Sequence, residues 1–495
     1  GTIEDSNEWN VQFYWWNSET ISNYYDGLMR YGFLLNNQAI IKKVRLFKNH
    51  ILNSQDEDGY LGIYDKYLRY NFTTENGELW AKTTVYRFLL GYYLYTKEEQ
   101  VLKCVIEAVQ NVMENYEIHR SEPFKTTNGF SGVTHGLMFI DVLHTLYEIT
   151  DDYIYIEYAI FLIQDYNKHS QTEEDVMFKN LTNSKYRFKG HGVHTYEHFR
   201  AIILIGKYDN SYKKYIDLFL AKLNLVLQPS GGPIGDEWVM GNIADSGLHG
   251  YEFCSIHELM DSLLFLSTHT DYDYFYLAER IFKNAHYGAR HTNQQIAYLK
   301  SDNSYSMSGD FQVSQPHSPH KIQTRYKYSF THKDAAVCCV PNSVRITPYY
   351  IEHALSIDKK VRLNYIIPCE ISLCFKGKNY YIHVKQDSLY GPYEIESNLG
   401  DFLVINHVEN SIEIKQDYQG KYYFVRGNIV YAYPIVSIDE FVTNYNVKDT
   451  YVSPLNPYEE MTLVSISYQF DKENNCLIVD TNLGKKSLVP IAKTV

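Results

Sequence analysis

No run of basic residues occurs anywhere in the 495-residue chain, and 46 Lys plus Arg against 59 Asp plus Glu leave a net charge of −13. The electrostatic footprint of a nucleic-acid binder is missing, and a neutral or cationic ligand suits such a surface better. Long apolar runs are missing as well. The longest apolar-aromatic stretch, Tyr153 to Ile163, falls short of the roughly 18 residues a membrane span needs and carries Glu157 inside it. CxxC pairs are absent. The seven cysteines, Cys104, Cys254, Cys338, Cys339, Cys369, Cys374 and Cys476, form an odd set without even spacing, which argues against a disulfide framework. With 13 Pro and 27 Gly the chain is neither collagen-like nor disordered. A chain that starts at Gly1 without an apolar leader reads as a processed form, expected to be soluble and either cytoplasmic or periplasmic. Its oligomeric state is left open.

What the chain has in excess is aromatic side chains: 16% of residues, 48 of them Tyr. Such rings suit sugar faces, and they also pack. From about residue 20 to 290 apolar residues recur at helical spacing, as in Ile40, Ile41, Val44, Leu46, Phe47 and Ile51. A unit of apolar helix end, polar turn with an acid and new helix start repeats at Glu98, Asp152, Asp209 and Asp271, about 54 to 62 residues apart, with Asn36-Asn37 one period earlier. Each unit is a helical hairpin, and stacked hairpins form an open solenoid or a closed α/α barrel. About five are visible, with a sixth formed by the ends. Beyond residue 345 the pattern changes to alternating stretches rich in Tyr, Val and Ile, such as Lys378 to Lys385 and Lys421 to Tyr433. The segment from Asp439 to Glu460 reads as a long loop. The expected architecture is therefore α + β and multidomain: a six-hairpin α/α-barrel catalytic domain over residues 1–345 and a β-sandwich domain over 346–495.

Glu252-Phe253-Cys254 and Cys338-Cys339-Val340-Pro341-Asn342 supply one carboxylate and three thiols, a credible tetrahedral zinc set. Residues at i and i+2 do not share a helix face, so both motifs must lie in turns or at helix ends. Pro341 biases Val340 away from helix, and a sharp bend after the Cys pair is expected. The competing reading is that these are buried thiols. Gly231-Gly232-Pro233-Ile234-Gly235-Asp236-Glu237-Trp238 sets two acids beside a Trp ring, an environment that raises a carboxyl pKa and suits a general acid; the competing reading is a surface turn with solvated acids. His191, His194 and His198 stand at i, i+3 and i+7, on one helical face, where they bind metal, hydrogen-bond hydroxyls or simply pack. His135 is expected to open the helix of the preceding hairpin and to face the same cavity. His257-Glu258 starts like a zinc-protease motif, but Asp261 stands where its second His is needed.

In order along the chain, Gln55-Asp56-Glu57-Asp58-Gly59-Tyr60-Leu61-Gly62, Gly77-Glu78-Leu79-Trp80, Gly190-His191-Gly192-Val193, Glu252-Phe253-Cys254, the Cys338-Cys339 pair and Arg426-Gly427-Asn428-Ile429-Val430-Tyr431 resemble the glycoside hydrolase family of β-L-arabinofuranosidases that use a zinc-bound cysteine as nucleophile. The resemblance implies a zinc (Zn2+) held by Glu252, Cys254, Cys338 and Cys339, with Cys338 as nucleophile. It implies Glu237 as acid/base, with Asp236 as second choice, and sugar contacts from His135 and His191 beside Trp238. Where the family usually has a third histidine, this chain has Thr84, with the cationic Lys82 nearby, so the sugar removed is expected to be β-L-arabinofuranose or a related acidic or branched furanose, whose carboxylate would pair with a Lys or Arg. The function so implied is a retaining, exo-acting glycoside hydrolase acting on an oligosaccharide from plant-type glycans. Two other readings stand beside it. One is a zinc-independent α/α-barrel glycosidase or polysaccharide lyase using carboxylate and His acid-base groups. The other is a non-catalytic carbohydrate-binding scaffold.

Overall fold

The computed structural model describes residues 10–71, 77–125, 131–234, 238–244, 252–287, 322–323, 339–386, 393–406, 411–417, 420–433, 451–452 and 461–493. Short polar turns break an apolar pattern into paired helices. α1 (Asn10–Leu34) pairs with α2 (Gln38–Leu52), and α3 (Glu78–Thr96) with α4 (Glu99–Asn115). After the short α5 (Ser131–His135), α6 (Phe139–Thr150) pairs with α7 (Ile154–Lys168). After α8 (Phe178–Thr182) and α9 (Gly192–Glu197), α10 (Phe199–Tyr208) pairs with α11 (Lys214–Leu223), and α12 (Phe253–His269) with α13 (Phe275–Arg280). The last helix, α14 (Cys339–Glu352), packs on both α12 and α1.

The polar residues of the repeat are what end one helix and start the next. Asn37 caps α2 by accepting from the backbone N–H groups of Ala39 and Ile40. Asp152 accepts from Ile154 N at 3.1 Å and Asp209 from Ser211 N at 2.9 Å. Glu98 acts differently, accepting from Lys48 Nζ at 2.8 Å and from the Tyr92 hydroxyl at 2.7 Å.

Neighbouring inner helices run parallel. Ser18 and Glu19 of α1 bond Ala81 and Trp80 of α3, while Asn23 meets Arg87 further along both. On the other side of α1, Gly27 lies against the Val344 backbone and Arg30 pairs with Glu352 of α14. A Cβ on Gly27 would stand 2.6 Å from the Val344 carbonyl group, so only glycine allows this approach.

A closed circuit of buried polar groups links six helices. Arg87 of α3 donates to Asn23 at 2.9 Å and lies 3.8 Å from Asp141 of α6. Arg200 of α10 contacts Asp141 at 3.0 Å and Glu258 of α12 at 2.8 Å. Arg345 of α14 contacts Glu258 at 2.9 Å and Asp26 of α1 at 3.1 Å. Burial alone would push the Asp26 carboxyl up, but Arg30, Arg345 and Arg87 together with the Tyr349 hydroxyl bring it down to about 2.

α14 departs from the sequence expectation. Val340 belongs to the helix, and no bend follows the Cys pair, because Pro341 is the third residue of α14, where the backbone N–H has no intrahelical partner to lose. The helix also runs across residue 345 and ends at Glu352.

Most of the described residues after α14 form β structure. β1 (Ile322–Gln323) pairs with β11 (Tyr451–Val452), so the one described part of the expected 439–460 loop is a short strand. β2 (Leu355–Ile357), β3 (Val361–Leu363) and β7 (Leu403–Ile405) form one three-stranded sheet, and β4 (Cys369–Phe375), β5 (Lys378–Gln386) and β6 (Tyr393–Ser397) another. A shared apolar core of Val361, Leu363, Phe375, Ile382 and Val384 joins the two. β8 (Ile412–Gln416), β9 (Tyr422–Arg426), β10 (Ile429–Ala432), β12 (Leu463–Asp471), β13 (Cys476–Thr481) and β14 (Gly484–Pro490) form a six-stranded sheet in the order β12-β13-β14-β10-β9-β8. The β9–β10 hairpin, from the Arg426–Tyr431 motif, docks on the helical part through Asn284, which donates to Asn428 O at 2.7 Å and accepts from Val430 N at 2.8 Å.

Candidate active site

Because the inner helices are parallel, their N-termini gather at one end, and the sequence motifs sit there. Trp80 is in the first turn of α3, held by donation from its indole N–H to Glu19 at 3.1 Å. His135 ends α5, and His191 is the extended N-cap of α9. Glu252 is the N-cap of α12, with Cys254 in the first turn. Cys339 is the first residue of α14; its parallel course beside α1 brings it to the same end as Glu19 and Trp80. Both halves of the proposed ligand set thus occur at helix starts, where the dipole's positive pole favours ionised ligands. Cys338, Asp236 and Glu237 lie outside the described residues, as does the side chain of Cys339.

The side chains converge as an aromatic and imidazole group. His135 and His194 stack, and the Trp80 ring meets both edge-on, at 5.6 and 6.0 Å between centroids. His191 stacks on Trp238 at 5.7 Å, and the two residues form a backbone bridge. On its other side, His191 Nε2 lies 3.1 and 3.2 Å from the two oxygens of Glu252, a carboxylate with no exposure to solvent that also accepts from Ser255 Oγ at 3.2 Å. A buried carboxylate beside a buried thiol, oriented by an imidazole behind it, suits a zinc ligand and its outer partner.

Burial, reinforced by His135, His191 and His198, holds His194 neutral. Burial next to Glu258 drives Glu197 toward its protonated form. The two side chains meet at 2.5 Å between Glu197 Oε1 and His194 Nδ1.

Sequence reasoning missed Glu19, Glu173 and Glu197. Glu173 Oε2 stands 3.5 Å from His135 Nε2, on a segment with no pattern of its own. Glu197 had a local signal, three residues after His194 on the same helical face.

One expectation changes. Lys82 cannot pair with a substrate carboxylate, because its fully buried ammonium contacts Glu78 at 3.1 Å, donates to Leu61 O at 3.0 Å and lies over the Tyr60 ring. Burial, only partly offset by Glu78, lowers it to about 8. Thr84 is also buried, and its hydroxyl donates to Ala81 O at 3.1 Å.

Parallel helical hairpins followed by sheets, with the polar motifs at the helix N-termini, give this chain the fold of a class of glycoside hydrolases. A structure described as a glycoside hydrolase superposes with a TM-score of 0.66 at 11% identity, over 98% of this chain and 93% of that one. More particularly, the chain shares its fold with a GH127 β-L-arabinofuranosidase from Geobacillus stearothermophilus T6, with a TM-score of 0.63 at 12% identity over 95% of this chain and 87% of that one. A second GH127 β-arabinofuranosidase matches at 0.60 and 13% identity, over 99% and 87%. No family model and no curated protein matches the chain by sequence. Among the described residues, no helix is long and apolar enough to cross a membrane.

Proposed function

We propose that the chain is a retaining, exo-acting glycoside hydrolase whose six inner helices form an α/α barrel, with a β-sandwich part beginning after Glu352. The later boundary is supported by Arg345, Tyr349 and Glu352, which all contact α1 and so belong to the barrel. The observation that carries the reading is Glu252 at the start of α12, buried, oriented by His191 and followed by Cys254, with Cys339 opening the neighbouring helix.

Glu252, Cys254, Cys338 and Cys339 would hold a zinc ion, which when bound keeps thiols ionised near neutral pH. Cys338 attacks the anomeric carbon while Glu237 gives its proton to the leaving oxygen, forming a glycosyl thioether. Glu237 then takes a proton from the water that hydrolyses this intermediate, so configuration is retained. Trp238, next in the chain to Glu237, stacks on His191, which supports placing the acid beside the ligand set. His135, His191 and Trp238 line the sugar pocket, with Asp236 as a further polar contact. With Lys82 paired to Glu78, the substrate that fits is a neutral β-L-arabinofuranose at the end of an oligosaccharide.

Turnover of an aryl β-L-arabinofuranoside and of a carboxylated furanoside, measured on the intact chain, tests this. Cys338→Ser should abolish turnover while the sugar still binds, and Cys339→Ser should remove thiolate-bound zinc. Full activity in metal-free protein, or in Cys338→Ser, would overturn the mechanism.

A further inference from the structure

The far end of the same helices carries a second cluster that the proposed reaction does not use. α6 places His144 and Glu148 four residues apart on one face, and α12 ends in His269. His144 Nδ1 lies 3.8 Å from Glu148 Oε2, and His269 Nδ1 lies 3.4 Å from Glu148 Oε1. One donor atom from each of the three residues fits within 4.8 Å of the others. These separations are long for hydrogen bonds. They are close to the edge of a coordination tetrahedron, since donors about 2.0–2.1 Å from a zinc ion are about 3.4 Å apart.

We propose that His144, Glu148 and His269 form a site for a divalent transition-metal cation of the zinc class, separate from the Glu252 and cysteine set. α12 is 17 residues long, so the two ends lie about 25 Å apart at ~1.5 Å per residue. Two imidazoles with one carboxylate select zinc, cobalt or nickel over magnesium or calcium.

Three independent features support it. The other nitrogen of His144, Nε2, is buried and makes no hydrogen bond among the described residues, so the ring has unused polar capacity in either orientation. The C-terminal ends of α6, α10 and α12 meet here, with the His144 ring against Phe265 and His269 of α12 and facing Tyr208 of α10, and the negative poles of helix dipoles favour a cation. The Glu148 side chain is 46% exposed, which leaves room for water as a fourth ligand.

The site would clamp the ends of α6 and α12. Its test is metal loading of the intact, tag-free chain with Zn2+ and, separately, Co2+, followed by elemental analysis and absorption spectroscopy. Cobalt in the cysteine site gives a thiolate charge-transfer band; cobalt in the His/Glu site contributes only weak visible d–d bands. The expected ratio is two metals per chain, falling to one in both His269→Ala and Glu148→Gln with the charge-transfer band intact. Metal content and d–d bands unchanged in both variants, or no metal bound beyond the thiolate site in the parent chain, would overturn the proposal. If the charge-transfer band is missing but one metal is bound and lost in both variants, this site stands and the thiolate mechanism falls.

Discussion

His191 Nε2 lies within 3.2 Å of both carboxylate oxygens of Glu252, and its ring stacks on Trp238. One imidazole therefore orients the carboxylate of the candidate metal set and one wall of the pocket. His191→Ala should weaken zinc binding or turnover by about 10–100-fold, the usual effect of losing an outer partner. Competition with a chromogenic chelator measures the first and steady-state kinetics the second; wild-type values for both would separate His191 from the site.

Lys82 is expected to matter for stability and to be indifferent to substrate charge. Lys82→Met leaves the Glu78 carboxylate without its ammonium partner in a buried position, a loss of about 3–5 kcal/mol. Urea unfolding measures this. If instead the variant unfolds like the parent while KM for a carboxylated furanoside rises, Lys82 is a substrate contact after all.

The circuit through Asp26 predicts a particular acid sensitivity. Its carboxyl has a folded-state value of about 2 against an ordinary 3.8, so its contribution is complete above pH 3.8 and disappears as the pH falls toward 2. That contribution is roughly 2 kcal/mol. Arg345→Met should destabilise the chain by about 3–5 kcal/mol near neutral pH. It should also flatten the pH 4-to-2 decline, because Asp26 then titrates closer to its unfolded value. Unfolding curves at a series of pH values compare the two slopes, and parallel slopes would refute the pairing.

Gly27→Ala tests the close approach of α1 and α14. The added methyl meets the Val344 backbone, not a flexible side chain, so the helices must separate at a cost of about 1–3 kcal/mol. Thermal unfolding would show it, and an unchanged midpoint would mean that the two helices are further apart.

Much of the helical part was legible because its signals are local. Asn37, Asp152 and Asp209 punctuate the chain and do so in the structure as backbone acceptors. Leu46, counted in the apolar stripe of α2, is exposed because it falls off the face shared by Ile41, Val44, Lys48 and Ile51. The spacing of Glu252 and Cys254 called for a turn or a helix end, and they stand at a helix start. The circuit from Asp26 to Arg345 did not show in the sequence, because its members are single charges scattered through amphipathic helices with no periodic relation. Nor did the contacts of Lys82 with Leu61 and Tyr60, which come from the preceding loop, although its partner Glu78 stands four residues back on the same helix, a local signal that was overlooked. α14 was obscured by Pro341, which read as the start of a bend after the Cys pair.

The circuit also has a temporal side. Tyr349 and Arg345 reach Asp26 across 323 and 319 positions of chain. During synthesis, Asp26 and Glu258 are made before the Arg345 guanidinium that bridges them, so the first five hairpins can pair Asp26 with Arg30 and Glu258 with Arg200 but leave the bridge between α1 and α12 unmade. Ring closure is thus a late event of high contact order, and a nascent chain halted before residue 345 presents an open seam of apolar helix faces to the cell.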